Sequence, residues 1–177
     1  DAVGSEGDSV MPKLLFTEGG SQFDIYAVRS AGIDPATGQE IFIKKDGTYT
    51  YKYDEDDRVA VGNSNPVLNG SWINTLRYKG FTLSLTTSYT FGADFYNTTL
   101  QSKVENIDPY KNVDARAYTE RWKNPGDLVR FLAINTVNNQ MVNSERFVER
   151  RNEIYVSNVQ FTYDFQTRWL NKIGLKR

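Results

Sequence analysis

The chain has 177 residues, 39% hydrophobic and 24% charged, with 21 Lys and Arg against 22 Asp and Glu. This is one domain's worth of sequence, and the absence of Cys and His excludes disulfides, thiolate zinc sites, cysteine nucleophiles and the usual general base. Near-neutral charge leaves no basic footprint for nucleic acid, and no apolar run approaches the ~20 residues that a membrane-crossing helix needs, which leaves membrane-crossing strands open.

Eleven Tyr, ten Phe and three Trp favour strands, where flat rings pack on a pleated surface, so the expected class is mainly β. Residues 1–21, rich in Gly, Ser and acids, read as an irregular entry. Phe23 to Arg29 alternates as a strand does, and Asp34-Pro35-Ala36-Thr37-Gly38 carries turn chemistry, with Pro35 presetting φ and Gly38 free to take a positive one. Ile41 to Lys45 and Thr48 to Tyr53 flank Asp46-Gly47 and predict a hairpin with a tight turn. The acids Asp54 to Asp57 lack the alternate spacing, the Gly and the late Glu of a calcium loop, and read as a solvated acidic loop.

Residues 69–92 are the most informative. Phe81, Leu83, Leu85, Tyr89 and Phe91 fall on one parity and Thr82, Ser84, Thr86, Ser88 and Thr90 on the other, with no charge from Phe81 to Ala93. A soluble sandwich carries Lys and Glu on its outward face. Uncharged alternation over about a dozen residues suits a barrel wall, where ~9–11 tilted residues cross the hydrocarbon and aromatics sit at both interfaces. In the preceding strand Trp72, Asn74, Leu76 and Tyr78 share one parity, and Ile73, Thr75 and Arg77 the other. Residues 93–145 lack sustained alternation and read as a long excursion, within which Asp114 is a plausible cap for a short helix ending near Trp122. A second apolar parity, Tyr155, Val159, Phe161, Tyr163 and Phe165, lies opposite Asn158, Gln160, Thr162 and Asp164. Residues 1–115 carry 10 basic and 16 acidic side chains and residues 116–177 carry 11 and 6, a difference that reads as scatter because neither part holds a long run of like charge.

Taken in order, Tyr26-Ala27-Val28-Arg29-Ser30-Ala31-Gly32-Ile33-Asp34-Pro35-Ala36-Thr37-Gly38, then Asn74 to Ser84, Tyr96-Asn97, Arg121-Trp122-Lys123-Asn124-Pro125-Gly126-Asp127 and Ser144 to Glu149 resemble the C-terminal barrel region of SusC/RagA-like TonB-dependent outer-membrane transporters. The resemblance covers roughly residues 18–165. It implies antiparallel strands of a large transmembrane β-barrel, partial and not closed by this chain alone, with long extracellular loops and at most one or two short helices. Residues 1–69 would be an extracellular hairpin region, 70–92 a transmembrane hairpin turning at Lys79-Gly80, 93–145 a long extracellular loop, 146–165 a transmembrane strand and 166–177 a periplasmic turn, with the plug domain absent.

In that reading Phe81, Leu83, Leu85, Tyr89, Phe91, Phe161, Tyr163 and Phe165 face lipid, and Arg77, Ser84, Thr86 and Asp164 face the lumen. The implied partners are a SusD-like surface lipoprotein, TonB through a missing N-terminal part, outer-membrane lipid and a glycan or peptide substrate, with no nucleic acid, cofactor or metal and no enzyme activity. Arg121 and Trp122 are candidates for substrate contact, set against a role in holding the loop together. A soluble carbohydrate-binding β domain, stacking sugars on Trp72, Trp122 or Trp169, is the alternative. A complete small barrel fits the length, but the long excursion argues against it. No pair of carboxylates is placed by a recognisable motif, and G-x-S-x-G and nucleotide-binding Gly patterns are absent.

Overall fold

The computed structural model describes residues 18–107, 112–134 and 142–165. The readings made for residues 1–17, for 166–177 with Trp169, and for parts of the long excursion lie outside them. The chain divides into two compact units, residues 1–65 with 94–150 and residues 66–93 with 151–177.

The first unit is built on an antiparallel sheet in the order β3-β2-β1-β4, with β1 at Asp24–Ile33, β2 at Glu40–Ile43, β3 at Tyr49–Thr50 and β4 at Arg58–Asn63. The register of β1 on β2 shifts between Ser30 and Gly32, where Gly32 takes φ 97°, a conformation that Gly adopts readily. Between β2 and β3 the expected tight turn is a three-residue loop. Gly47 N–H donates to Lys44 C=O (3.0 Å), Lys44 N–H donates to Thr48 C=O (2.9 Å), and only Gly47 has a positive φ (87°). This is the turn-plus-bulge hairpin, which needs one left-handed residue rather than two, and it leaves β3 shorter than the alternation of Thr48 to Tyr53 suggests.

Two elements were not expected. β4 follows the acidic run, whose Asp54 side chain accepts the Asp56 N–H and so caps a single helical turn at Glu55–Asp57. A short helix α1, Thr98–Leu100, capped by Asn97 Oδ1 on Leu100 N–H (2.8 Å), continues into a wide turn at Gln101–Glu105. The expected helix near Asp114 is shorter than its composition suggests. α2 is Arg116–Thr119, and its cap position is Ala115, although Asp114 Oδ1 still takes the Arg116 N–H at 2.9 Å. Leu100, Val104, Ala117, Phe131 and Phe147 form a buried cluster in this unit, and Ile25, Ala27, Val28 and Phe42 are buried in its sheet.

The second unit holds a sheet in the order β5-β6-β7, from β5 at Leu68–Tyr78, β6 at Phe81–Tyr96 and β7 at Val148–Tyr163; the last residues of β6 and the first of β7 fall in the first unit. β5 and β6 pair without a slip from Leu68↔Phe91 to Tyr78↔Phe81. Their two-residue turn has Lys79 at φ 44° and Gly80 at φ 88°. Two successive positive φ values make the turn whose twist matches right-twisted strands. Beyond β7, Asp164 N–H donates to Gly80 C=O (2.8 Å).

Candidate functional site

Register fixes which side chains share a face, since paired residues project together and successive ones alternate. On the β5–β6 hairpin one face carries Tyr78 with Phe81, Leu76 with Leu83, Asn74 with Leu85, Trp72 with Thr87, and Leu68 with Phe91. Tyr89 belongs to it too, opposite Gly70, whose missing side chain makes room: a Cβ there would lie 2.6 Å from the Tyr89 hydroxyl. The other face carries Arg77 with Thr82, Thr75 with Ser84, Ile73 with Thr86 and Ser71 with Ser88. The Phe81 ring lies 4.3 Å from that of Tyr163 and 5.5 Å from that of Phe161, and Tyr163 meets Phe165 at 4.8 Å. Five aromatic side chains, counting Tyr78, thus gather at the Lys79-Gly80 end. Hydroxyls meet on the hairpin and across to β7: Thr75 and Ser84 are 3.4 Å apart, and Ser88 Oγ donates to Ser157 Oγ at 3.1 Å.

Within its unit this apolar face is open. Trp72, Leu76, Tyr78 and Phe161 are all about two-thirds exposed (66, 68, 69 and 65%). Leu83 and Phe81 are also exposed, and Leu85, Tyr89 and Phe91 are half-buried. Isolated exposed apolar residues are ordinary, but a contiguous sheet of them marks an interface with something other than water.

The first unit uses Arg121 and Trp122 internally. Arg121 is buried, and four of its N–H donors reach carbonyl oxygens: Nε to Ala117 (2.9 Å), Nη1 to Leu132 (2.9 Å), and Nη2 to Val104 (2.6 Å) and Glu105 (2.7 Å). Trp122 Nε1 donates to Pro35 C=O (2.8 Å), which also accepts the Gly126 N–H (2.8 Å). The indole lies so close to Gly38 (φ 71°) that a Cβ there would be 2.6 Å from the ring. The Arg-Trp and Pro-Gly-Asp stretches therefore lock onto the Asp34 to Gly38 turn. That turn is held in addition by Asp34, whose oxygens accept from Ala36 N–H, the Thr37 hydroxyl and the Tyr51 hydroxyl. These bonds, led by the Ala36 amide, hold the Asp34 carboxyl below its usual range.

Beneath lies a charge cluster that sequence reading missed. Arg146 Nη2 donates to Glu40 Oε2 (2.7 Å) and Glu105 Oε1 (2.9 Å), and the Ser144 hydroxyl donates to Glu40 Oε1. Glu40, Glu105 and Ser144 are all buried. Burial raises the Glu105 carboxyl above its ordinary range, with the Arg146 charge opposing it, and Glu105 Oε2 has no hydrogen-bond partner. Burial disfavours the Arg146 cation, but its bond to Glu40 and the two carboxylate charges outweigh that and push it upward. The only sequence signal was Glu40 itself, two places from buried Phe42 on the inward parity of β2. No group of His, Cys, Asp and Glu among the described residues is arranged to hold a metal ion.

No family model matches the chain. Among curated proteins it is 28% identical over 141 residues to the TonB-dependent receptor P39 of Formosa agariphila, a match that covers 77% of this chain and 13% of the relative. Among solved structures it superposes on the RagAB peptide importer in its closed-closed state with a TM-score of 0.60 and 18% identity, over 83% of this chain and 17% of that one. A second RagAB peptide transporter structure gives 0.57 and 21%, over 79% and 16%. The chain thus spans about an eighth of the length of its curated relative, and these relatives are named as receptors or transporters. In fold the chain is similar to part of the RagAB transporter structures, and over 141 residues its sequence is similar to that of a TonB-dependent receptor.

Proposed function

We propose that this segment serves nutrient import, not catalysis, as part of the wall and outer loops of a TonB-dependent transporter of the SusC/RagA type. The observation that carries the reading is the β5–β6 hairpin, with an unbroken register, one apolar face, one hydroxyl face and no charge along Phe81 to Ala93. Eleven pairs at about 3.3 Å per residue span roughly 33 Å, enough for a tilted strand to cross the hydrocarbon. Residues 70–92 and 146–165 then cross the membrane, Lys79-Gly80 and 166–177 lie on the periplasmic side, and 1–69 and 93–145 lie outside. Phe81, Leu83, Leu85, Tyr89, Phe91, Phe161, Tyr163 and Phe165 meet lipid. Arg77, Ser84, Thr86 and Asp164 face the water-filled interior.

A SusD-like lipoprotein is the partner at the outer mouth, TonB supplies energy through residues beyond these 177, and the cargo is a glycan or a peptide. With Arg121 and Trp122 bonded inside their own unit, their part is to hold the outer loop. The test is fractionation of the native polypeptide containing this sequence, together with uptake assays with and without TonB. Extraction from the outer membrane only by detergent, with TonB-dependent uptake, supports the reading. A water-soluble product overturns it and promotes a soluble sugar-binding module.

A further inference from the structure

We propose that Tyr49 and Tyr51 form a stacking shelf that holds a sugar ring of a glycan on the first unit. The two side chains are 70% and 53% exposed and, with Ala31, Ile41 and Thr50, line one concavity of about 350 Å³. That is near the lower end of the volumes that hold small ligands.

The register places Tyr49 opposite Ile43, on the face of β2 that Ile41 shares, while Phe42 and Glu40 point into the core. A sheet face turned to water is ordinarily polar; this one presents two tyrosines and two isoleucines. Tyr51 is held before any ligand arrives, because its hydroxyl donates to Asp34 Oδ2 at 2.8 Å. A fixed ring loses little freedom on binding.

The same carboxylate supplies the polar half of a sugar site. Asp34 accepts three hydrogen bonds, from Ala36, Thr37 and Tyr51, and an ionised carboxylate has about four acceptor positions. One remains for a ligand hydroxyl at the edge of the shelf. Flat apolar rings beside a hydroxyl acceptor match the alternating C–H faces and O–H edges of a pyranose. β3 is the edge strand of its sheet, so an extended peptide pairing along Tyr49–Thr50 is the competing occupant. A panel of peptides run beside the sugars separates the two, and peptide binding lost in Tyr49→Ala without any sugar binding overturns the proposal. The proposed topology puts these residues outside the membrane, so the shelf's place as a capture site rests on that reading, whereas sugar binding itself does not.

The experiment uses the full-length polypeptide containing this sequence, purified in detergent and applied to an array of neutral and anionic oligosaccharides of three to eight rings. The expected result is binding to at least one class, weakened about tenfold or more by Tyr49→Ala and by Tyr51→Ala, the loss typical of an aromatic anchor. Tyr51→Phe, which keeps the ring and removes its tether, should cost several-fold less than Tyr51→Ala. Unchanged hydrogen exchange at the Phe131 and Phe147 amides shows that the unit stays folded in each variant. An array without binding overturns the proposal, as does binding indifferent to both alanine variants. Loss of co-purification with a surface protein in Tyr49→Ala, on a silent array, would make the shelf a protein interface instead.

Discussion

The two units solve the burial problem in opposite ways. The first buries Leu100, Val104, Ala117, Phe131 and Phe147 and encloses Arg121, Glu40 and Glu105 among them, each polar group tied to a carbonyl or to Arg146. The second leaves Trp72, Leu76, Tyr78 and Phe161 open on one face of a sheet whose other face is mostly hydroxyl. A water-soluble unit of that kind would aggregate. The difference teaches that apolar side chains of one chain can serve two ends: in the first unit they enclose a core with its paired charges, and on the β5–β6 hairpin they make an uncharged outward face.

The largest expected break falls in the first unit. Arg146→Met leaves two buried carboxylates without their shared cation, a loss of about 3–5 kcal/mol for a buried pair broken on one side, to be read as faster hydrogen exchange through β1, β2 and the Phe147 turn. In the second unit, Leu83→Arg places a charge on the apolar face, at about 2–4 kcal/mol near the middle of the bilayer, while Ser84→Arg points to the opposite face and should cost little. The yield of assembled, heat-modifiable barrel measures both. Equal yields would reverse the facing assignment for every residue of the hairpin.

The second unit was far more legible in the sequence than the first. Parity alone sorted Phe81 to Phe91 onto two faces, because a strand's period is local and needs no knowledge of what lies opposite. The turn at Lys79-Gly80 was expected only through the family resemblance. The charge cluster was not legible: Arg146 is 106 residues from Glu40 and 41 from Glu105, and no local pattern reports a contact at that separation. β4 was hidden because Val59-Ala60-Val61 is too short to alternate convincingly after an acidic run, and α1 because Asn97 caps only three residues before the chain widens into another turn. Arg121 and Trp122 were visible as unusual residues, but their duty was not. Their partners are backbone carbonyls, which every residue has.

Gly38 tests whether the Asp34 to Gly38 turn and the Trp122 segment act as one. Gly38→Ala meets a positive φ, which costs roughly 1–2 kcal/mol, and a Cβ 2.6 Å from the indole, which adds the strain of overpacking. A loss of about 2–3 kcal/mol is expected, with new protease cleavage between residues 112 and 134. Trp122→Phe in the same background should recover part of it, since the smaller ring gives the methyl room. If the double variant is no better than the single one, the two segments are not coupled through this contact.

The smallest effect is also the most specific to the enclosed charges. Burial raises the Glu105 carboxyl in the folded unit, so between its ordinary value near 4.5 and the raised one the folded state holds a proton that the unfolded chain has released. Stability must therefore fall as pH rises through that window and level off above it. Glu40 and the cations Arg146 and Arg121 face the same carboxyl, with the phenols of Tyr53 and Tyr96 close to Glu40. Neither guanidinium titrates in this range, so the slope belongs to the carboxylates. Glu105→Gln keeps an acceptor for Arg146 Nη2 and removes the titrating proton, and it should flatten the fall in hydrogen-exchange protection of the Val104 and Phe147 amides above pH 4.5. An unchanged slope would mean that Glu105 does not carry the proton. A rise in stability with pH would mean that Arg146 holds Glu105 ionised more firmly than burial opposes it, and the first unit would then be stabilised by its enclosed charge.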